Sequence, residues 1–284
     1  MRLACLAPLV LAACSAGYKP SPLIVARPYD SNIPPSYHGD ATPLVVLLHG
    51  YGATPFLEDS YFGMTDYSNA AGFLLAEPSG LHDHTGAPFW NATDACCDLD
   101  GTGVDDVAYL TAVIDDMRAR YHVDDARIFF VGHSNGGFMS HRMACDRADR
   151  IAAIVSLAGA QWEDLSHCKP TEAVPVLEVH GTSDDEVPYD GAPDVPSATQ
   201  TVLDWSQLDG CDGNLAEYGA IDLVDTLTGP NGEPAETAQA KVSCANPRAA
   251  AELWTINKGT HVPPFRLPDW PKAVFDWLSA HPRR

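Results

Sequence analysis

The chain has 284 residues, 45% of them hydrophobic and 9% aromatic, enough for one α/β domain with excursions and a substantial buried core. Acidic residues number 38 against 17 basic ones, a formal net charge of −21. A field of that sign opposes binding to nucleic acid, anionic membranes and polyanionic substrates, and it suits solubility in a salty or acidic habitat.

In chain order, Arg2 is followed by a short apolar run over residues 3–10 and then Leu11-Ala12-Ala13-Cys14-Ser15. The run is too short to span a bilayer, which needs roughly 20 apolar residues, and it reads as a signal peptide over residues 1–13. Leu-Ala-Ala-Cys also resembles the bacterial lipobox, in which Cys14 would be lipidated and become the mature N-terminus. Ordinary cleavage nearby is the alternative. Residues 14–22 read as a tether and 23–284 as the folded domain. The expected location is outside a bacterial cell or on its envelope, touching membrane only through a lipid anchor.

Residues 23–26 suggest an opening strand and residues 43–50 a stronger, continuous apolar one. Residues 61–71 read as a helix, and residues 73–76 as a short buried strand ended by Pro78. Val107, Leu110, Val113, Ile114 and Met117 recur at a helical period, so residues 104–121 read as a helix. Residues 127–131 are a β-branched and aromatic run, 151–157 the next strand and 174–181 another, stopped by Gly181. A helix over 198–208, a last strand over 251–256 and a closing helix over 270–278 complete the pattern. Strand and helix alternate as a mostly parallel sheet flanked by helices demands, in a single domain without internal repeats.

The strand at 127–131 runs into Gly132-His133-Ser134-Asn135-Gly136-Gly137, and a helix-compatible stretch follows. G-x-S-x-G between a strand and a helix is the setting of a nucleophile elbow. The turn strains Ser134 and lifts its Oγ clear of the sheet at a helix N-terminus, where amides can meet a developing negative charge. This points to a serine hydrolase. In an α/β-hydrolase fold the acid and the histidine follow in that order. Asp184 comes first after the strand that ends at Gly181, with Asp185 as second choice. His261 lies in the loop after the last strand, where the general base belongs, and its rival His281 sits at the end of the closing helix. His49-Gly50-Tyr51-Gly52 resembles the turn that supplies one oxyanion donor in esterases. The two donors are therefore assigned to the amides of Tyr51 and Asn135, with the ring of His49 holding the loop.

Eight cysteines are present. With Cys5 and Cys14 in the address segment, Cys96, Cys97, Cys145, Cys168, Cys211 and Cys244 remain, enough for three disulfides in an exported chain. Adjacent Cys96 and Cys97 are expected to reach other partners. Cys211–Cys244 is the preferred bridge, because both flank a Gly-, Asp- and Pro-rich excursion. The acids between Asp98 and Asp106 lack the bidentate ligand of a proper calcium loop, and helix capping accounts for them better. His82-Asp83-His84 reads as a polar surface loop, so no metal and no cofactor is expected. Trp90 and Tyr189 are candidate aromatic walls of the acyl pocket, whereas Trp254 reads as core. Asn91-Ala92-Thr93 is a formal glycosylation sequon.

Several stretches together resemble the secreted polyhydroxybutyrate-depolymerase and feruloyl-esterase family of α/β-hydrolases, the single-domain esterases of carbohydrate esterase family one. They are Leu48-His49-Gly50-Tyr51-Gly52, Phe89-Trp90-Asn91-Ala92, Cys96-Cys97 followed by Val104-Asp105-Asp106-Val107, Gly132 to Gly137, and His180-Gly181-Thr182 with Asp184. The likeness runs from about Arg27 to Trp277, and the adjacent cysteine pair is its most specific mark. The resemblance implies an acid at Asp184 and a base at His261. Around the base the family's Gly-Gly-His and Trp-Pro are replaced by Gly259-Thr260-His261-Val262-Pro263-Pro264, which alters the wall of the substrate pocket. The implied function is a monomeric serine carboxylesterase acting on aryl or short-chain esters, such as feruloyl groups on polysaccharide or hydroxyalkanoate oligomers. A serine peptidase and a non-catalytic hydrolase-fold binding protein are the contrasting readings.

Overall fold

The computed structural model describes residues 18–211 and 213–283. The expected signal peptide and the Cys14 lipidation site lie outside the described residues. The end of the expected tether does not hang free: the Tyr18 hydroxyl donates to Asp116.

Eleven strands appear among the described residues. They are β1 (Asp30–Asn32), β2 (Thr42–Leu48), β3 (Leu74–Glu77), β4 (Leu81–His82), β5 (Pro88–Phe89), β6 (Val123–His133), β7 (Ala153–Leu157), β8 (Val176–Gly181), β9 (Ala216–Ile221), β10 (Thr237–Val242) and β11 (Ala251–Ile256). Nine of them form one sheet in the order β1-β3-β2-β6-β7-β8-β11-β10-β9, while β4 and β5 make a small separate ribbon. The six strands from β3 to β11 pair in parallel, and β1, β10 and β9 add antiparallel edges. The helices are α1 (Pro22–Ala26), α2 (Pro55–Phe62), α3 (Met64–Ala71), α4 (Asp106–Arg120), α5 (Asn135–Asp146), α6 (Ala198–Leu208) and α7 (Asp269–Ser279).

Apolar side chains cover both faces of the central sheet, which is why its strands read as unbroken hydrophobic runs. In β2, Leu44, Val46 and Leu48 join a core with Leu110 and Met117 of α4 and Phe138 of α5. Val45 and Leu47 point the other way, into a core with Phe62, Trp270 and Val274. Each such side chain contributes roughly 1.5–3 kcal/mol by leaving water.

Several expected elements are redrawn. Residues 23–26 are helix, not strand: Ser21 caps the turn by accepting from the Ile24 amide, and Pro22 at its first position presets φ. The first strand is instead the polar β1. The helix expected over 61–71 is two helices, broken where Gly63 turns left-handed at φ 67°, and the first begins earlier, at the Thr54 cap and Pro55.

Cys96 and Cys97, expected to bond elsewhere, are bonded to each other. Cys145 at the end of α5 meets Cys168, and Cys211 meets Cys244, so among the described residues no other cysteine is left for the adjacent pair. The Cys211–Cys244 bridge fastens the excursion that carries β9 and β10, a closure worth roughly 3–4 kcal/mol in a chain-entropy account.

The glycines around Ser134 are required by close packing. A Cβ on Gly132 would lie 2.1 Å from the Gly136 carbonyl oxygen, and one on Gly136 would lie 2.2 Å from that of Leu48. Both obstacles are backbone and cannot swing aside. Gly136→Ala should therefore cost ~2–3 kcal/mol, lowering the thermal midpoint by roughly 5–10 °C in a domain of this size. Calorimetry against the parent chain tests this, and an unchanged midpoint would refute the packing argument.

Candidate active site

β6 ends in His133, α5 begins at Asn135, and Ser134 between them is held at φ 52°, ψ −124°. That left-handed value is costly for a residue with a Cβ. The turn persists because the Ser134 amide donates to the Leu157 carbonyl at 2.8 Å and its own carbonyl accepts from Phe138 at 3.0 Å.

Asp184 and His261 come from the loops after β8 and β11, and the two loops are stitched together. The Ser183 amide donates to the Gly259 carbonyl at 2.8 Å, and the Lys258 amide to Thr182 Oγ1 at 2.8 Å. A Cβ on Gly181 would strike the Gly259 carbonyl at 2.3 Å, so these loops can close only over glycine. Asp184 Oδ2 accepts from His261 Nδ1 at 2.8 Å, while Oδ1 accepts the amides of Glu186 and Val187, each at 2.9 Å. Burial opposes ionisation of Asp184. Hydrogen bonds from His180 and His261 and the Val187 amide outweigh it and hold the carboxyl well below the usual carboxylate range. The competing Asp185 is exposed, and His281 is occupied at the end of α7 with the Trp277 carbonyl.

His133, the residue before Ser134, ties the elbow to the loop that carries His261. Its Nε2 donates to the His261 carbonyl at 3.0 Å and its ring packs 4.9 Å from the His261 ring. Burial disfavours a charged His133, but Glu58 beside it raises its pKa overall. Glu58 also accepts the Gly50 amide at 3.1 Å, so one buried carboxylate steadies both the elbow and the loop that carries Tyr51.

That loop is held from behind by His49. Its Nε2 accepts the Gly80 amide at 2.9 Å, so its Nδ1 carries the proton and donates to the Gly50 carbonyl at 2.8 Å. Burial lowers the pKa of this ring, in keeping with its neutral form. Asn135 clamps the next segment: its Oδ1 accepts from Trp90 N at 2.7 Å and its Nδ2 donates to Trp90 O at 2.9 Å.

Beside Ser134 opens a cavity of about 290 Å³ whose walls include Tyr51, Cys96, Cys97, Leu99, Phe138 and Val187. The aromatic walls expected from the sequence are elsewhere. Trp90 is fully buried behind the loop, donating from its indole to the His49 carbonyl at 3.0 Å, so it braces the site without lining it. Tyr189 faces a different cavity with Thr182 and Leu253, its hydroxyl 2.9 Å from Thr255 Oγ1. The acids of the 98–106 loop are engaged locally. Asp98 accepts the Thr102 and Gly103 amides, and Asp105 caps α4 through the Ala108 amide. Asp83 likewise takes the Thr85 and Ala87 amides and the Tyr51 hydroxyl.

No protein-family model matches the chain. It is 26% identical over 249 residues to the "Putative esterase NocK" of Nocardia uniformis subsp. tsuyamanensis, covering 85% of this chain and 69% of that one. It is 27% identical over 241 residues to feruloyl esterase B of Piromyces equi, covering 80% of this chain and 41% of that one. The bifunctional acetylxylan esterase/xylanase XynS20E of Neocallimastix patriciarum is 27% identical over 236 residues, 82% of this chain and 29% of its own. The chain thus spans less than half the length of these last two relatives. Among solved structures, acetyl xylan esterase from Aspergillus awamori superposes with a TM-score of 0.62 at 14% identity, over 88% of this chain and 93% of that one. Esterase PE8 gives 0.58 at 18% identity, over 89% and 98%. The chain is an ester hydrolase of the α/β-hydrolase fold.

In this esterase, sequence reasoning missed the disulfide wall, the apolar residues of the Ser134 cavity and the two buried carboxylates Glu58 and Glu178. A signal for Glu178 was available. Glu178 and His180 stand two apart in an otherwise apolar strand, which puts both polar side chains on one buried face.

Proposed function

We propose that the esterase is a serine carboxylesterase in which Ser134 is the nucleophile, His261 the general base and Asp184 the acid that orients it. The observation that carries this reading is the left-handed Ser134 at the strand–helix elbow together with a hydrogen-bonded Asp184–His261 pair, the two joined by the bond from His133 to the His261 carbonyl. Ser134 Oγ attacks the ester carbonyl carbon as its proton passes to His261 Nε2. The amides of Tyr51 and Asn135 hold the tetrahedral oxyanion, each worth ~3 kcal/mol of barrier. Collapse breaks the carbon–oxygen bond to the alcohol, which leaves with the proton from His261. Water then attacks the acyl-enzyme, gives its proton to His261, and the acid departs as Ser134 recovers its own. Asp184 keeps the Nδ1–H tautomer facing itself throughout, leaving Nε2 free to take the serine's proton.

The esters proposed are aryl or short-chain ones, with feruloyl-polysaccharide and hydroxyalkanoate oligomers as leading cases. An apolar cavity beside Ser134 and relatives named feruloyl and acetylxylan esterase support this. We also propose export, on the strength of the N-terminal segment and three disulfides. Acetyl, butyryl, hydroxybutyryl and feruloyl esters of one chromogenic alcohol, offered to the oxidised protein, test the reading. Turnover of at least one is expected; failure on all four would refute it.

Asn135→Ala should leave the oxyanion amide in place but free Trp90 and the loop behind it. A loss of about 10- to 100-fold in kcat is expected, since small misplacements of oriented groups cost that much. Unchanged kcat in a folded variant would show that the clamp has no part in catalysis.

A further inference from the structure

Behind Asp184 lies a run of buried polar groups that the reaction above does not use. Trp205 Nε1 on α6 is 2.9 Å from His141 Nδ1 on α5, and His141 Nε2 is 3.1 Å from Glu178 Oε2 on β8. Glu178 Oε1 is 3.1 Å from His180 Nδ1. His180 Nε2 is 2.8 Å from the Val187 carbonyl and 3.4 Å from Asp184 Oδ2, the oxygen that also accepts the hydrogen bond from His261. His141 and Glu178 are fully buried, and His180 is 1% exposed.

The protons in this run can be placed by donor–acceptor bookkeeping. An indole N–H only donates, so His141 Nδ1 must accept and its Nε2 must carry the ring's proton. His141 is therefore neutral, and it donates to Glu178. The Val187 carbonyl only accepts, so His180 Nε2 carries a proton. A carboxylate at Glu178 accepts at both oxygens, from His141 Nε2–H and from a second proton on His180 Nδ1. His180 then has both nitrogens protonated.

We infer that His180 is a buried cation held between Glu178 and Asp184, a positioning residue that fixes the triad acid and offsets part of its charge. This rests on the assignment of Asp184 and His261 given above. A cation at that place keeps Asp184 ionised in a dry setting, where an unpaired carboxylate would be costly. It also shares Oδ2 with His261, so it limits how far the carboxylate can rotate away from the base. The direction of the His180 shift agrees: burial opposes the charge, but Asp184 and Glu178 raise its pKa to about 9. The titratable groups around it are Glu178 on its own strand, His141 through Glu178, Asp184 and Tyr189 from the acid loop, and His261 through Asp184.

Two measurements on the full oxidised chain test this. Two-bond proton–nitrogen spectra of imidazole-labelled parent protein at pH 7.5 should show His180 doubly protonated and His141 as the neutral Nε2–H form. The ring of Tyr189, packed edge-on against His180, allows the assignment without a variant. A neutral His180 at that pH would overturn the inference. Second, His180→Gln removes the charge while keeping a donor. With the cation gone, the base faces a more negative surrounding and is held protonated to higher pH. The acid limb of kcat/KM should move up by about 0.5 pH unit or more, and kcat should fall by roughly tenfold. A lower melting temperature with the acid limb unmoved would show a structural role only and overturn the proposal. Should Ser134→Ala keep the parent's activity, the triad assignment fails instead, and the spectra still decide the charge of His180.

Discussion

Ser134→Ala should lower kcat by ~10⁵- to 10⁶-fold on every ester the parent enzyme hydrolyses. The substitution removes the attacking oxygen and leaves the elbow backbone, the Tyr51 and Asn135 amides and the cavity as they were. Binding should accordingly survive, with an inhibition constant for a slow ester analogue close to the parent's. The fold should survive too, because the bonds that hold the elbow run through the Ser134 amide and carbonyl, not through its hydroxyl. Steady-state rates corrected for spontaneous hydrolysis check the first point, and calorimetry the second. Residual activity above a thousandth of the parent's would place the nucleophile elsewhere.

Asp184→Asn should cost ~10⁴-fold in kcat, the loss expected when the base is left in the wrong tautomer. Asp184 accepts from His261 Nδ1 through Oδ2, and an amide at that place can turn its N–H₂ toward the ring. The ring would then present Nδ1 as an acceptor and carry its proton on Nε2, facing the serine it should deprotonate. Stability should change as well, with a definite pH dependence. The Asp184 pKa is depressed in the folded protein, so its contribution is fully present above the unfolded carboxylate range near ~3.9 and is lost as pH falls through the folded value. The deficit of Asp184→Asn relative to the parent is therefore largest at neutral pH and shrinks in strong acid. A deficit that grew on acidification would contradict the charge assigned to Asp184.

The parts of this fold that were legible in the sequence are those whose burial is two-sided. β2, β8 and β11 are covered on both faces, so nothing but apolar residues or a paired polar group fits along them, and the run itself marks the strand. The elbow was legible because its glycines are forced by backbone contacts, which leave a fixed spacing around Ser134. Edge elements were not. β1 is the polar Asp30-Ser31-Asn32, held by its pairing with β3 and by Asn32 bonds to Ser68 and Asn69, and β9 is largely exposed, so neither carries a hydrophobic period. Trp90 shows a different limit. An aromatic next to a site motif suggests a wall, yet its indole N–H and backbone both find partners inside, and the residue goes to the core. The Cys211–Cys244 bridge was legible as a fastening of the excursion, but the adjacent cysteines could not be paired from sequence, because the partner of Cys145 is set by how α5 packs.

Acylation of Ser134 can be caught by covalent trapping. The oxidised protein would be treated with a phosphonate ester that transfers its phosphorus to an activated serine, then digested and weighed by mass spectrometry. One adduct per chain, on the peptide carrying Ser134, is expected, absent in Ser134→Ala and formed far more slowly in His261→Ala. An unlabelled protein, or label on another residue, would contradict a Ser134 nucleophile activated by His261.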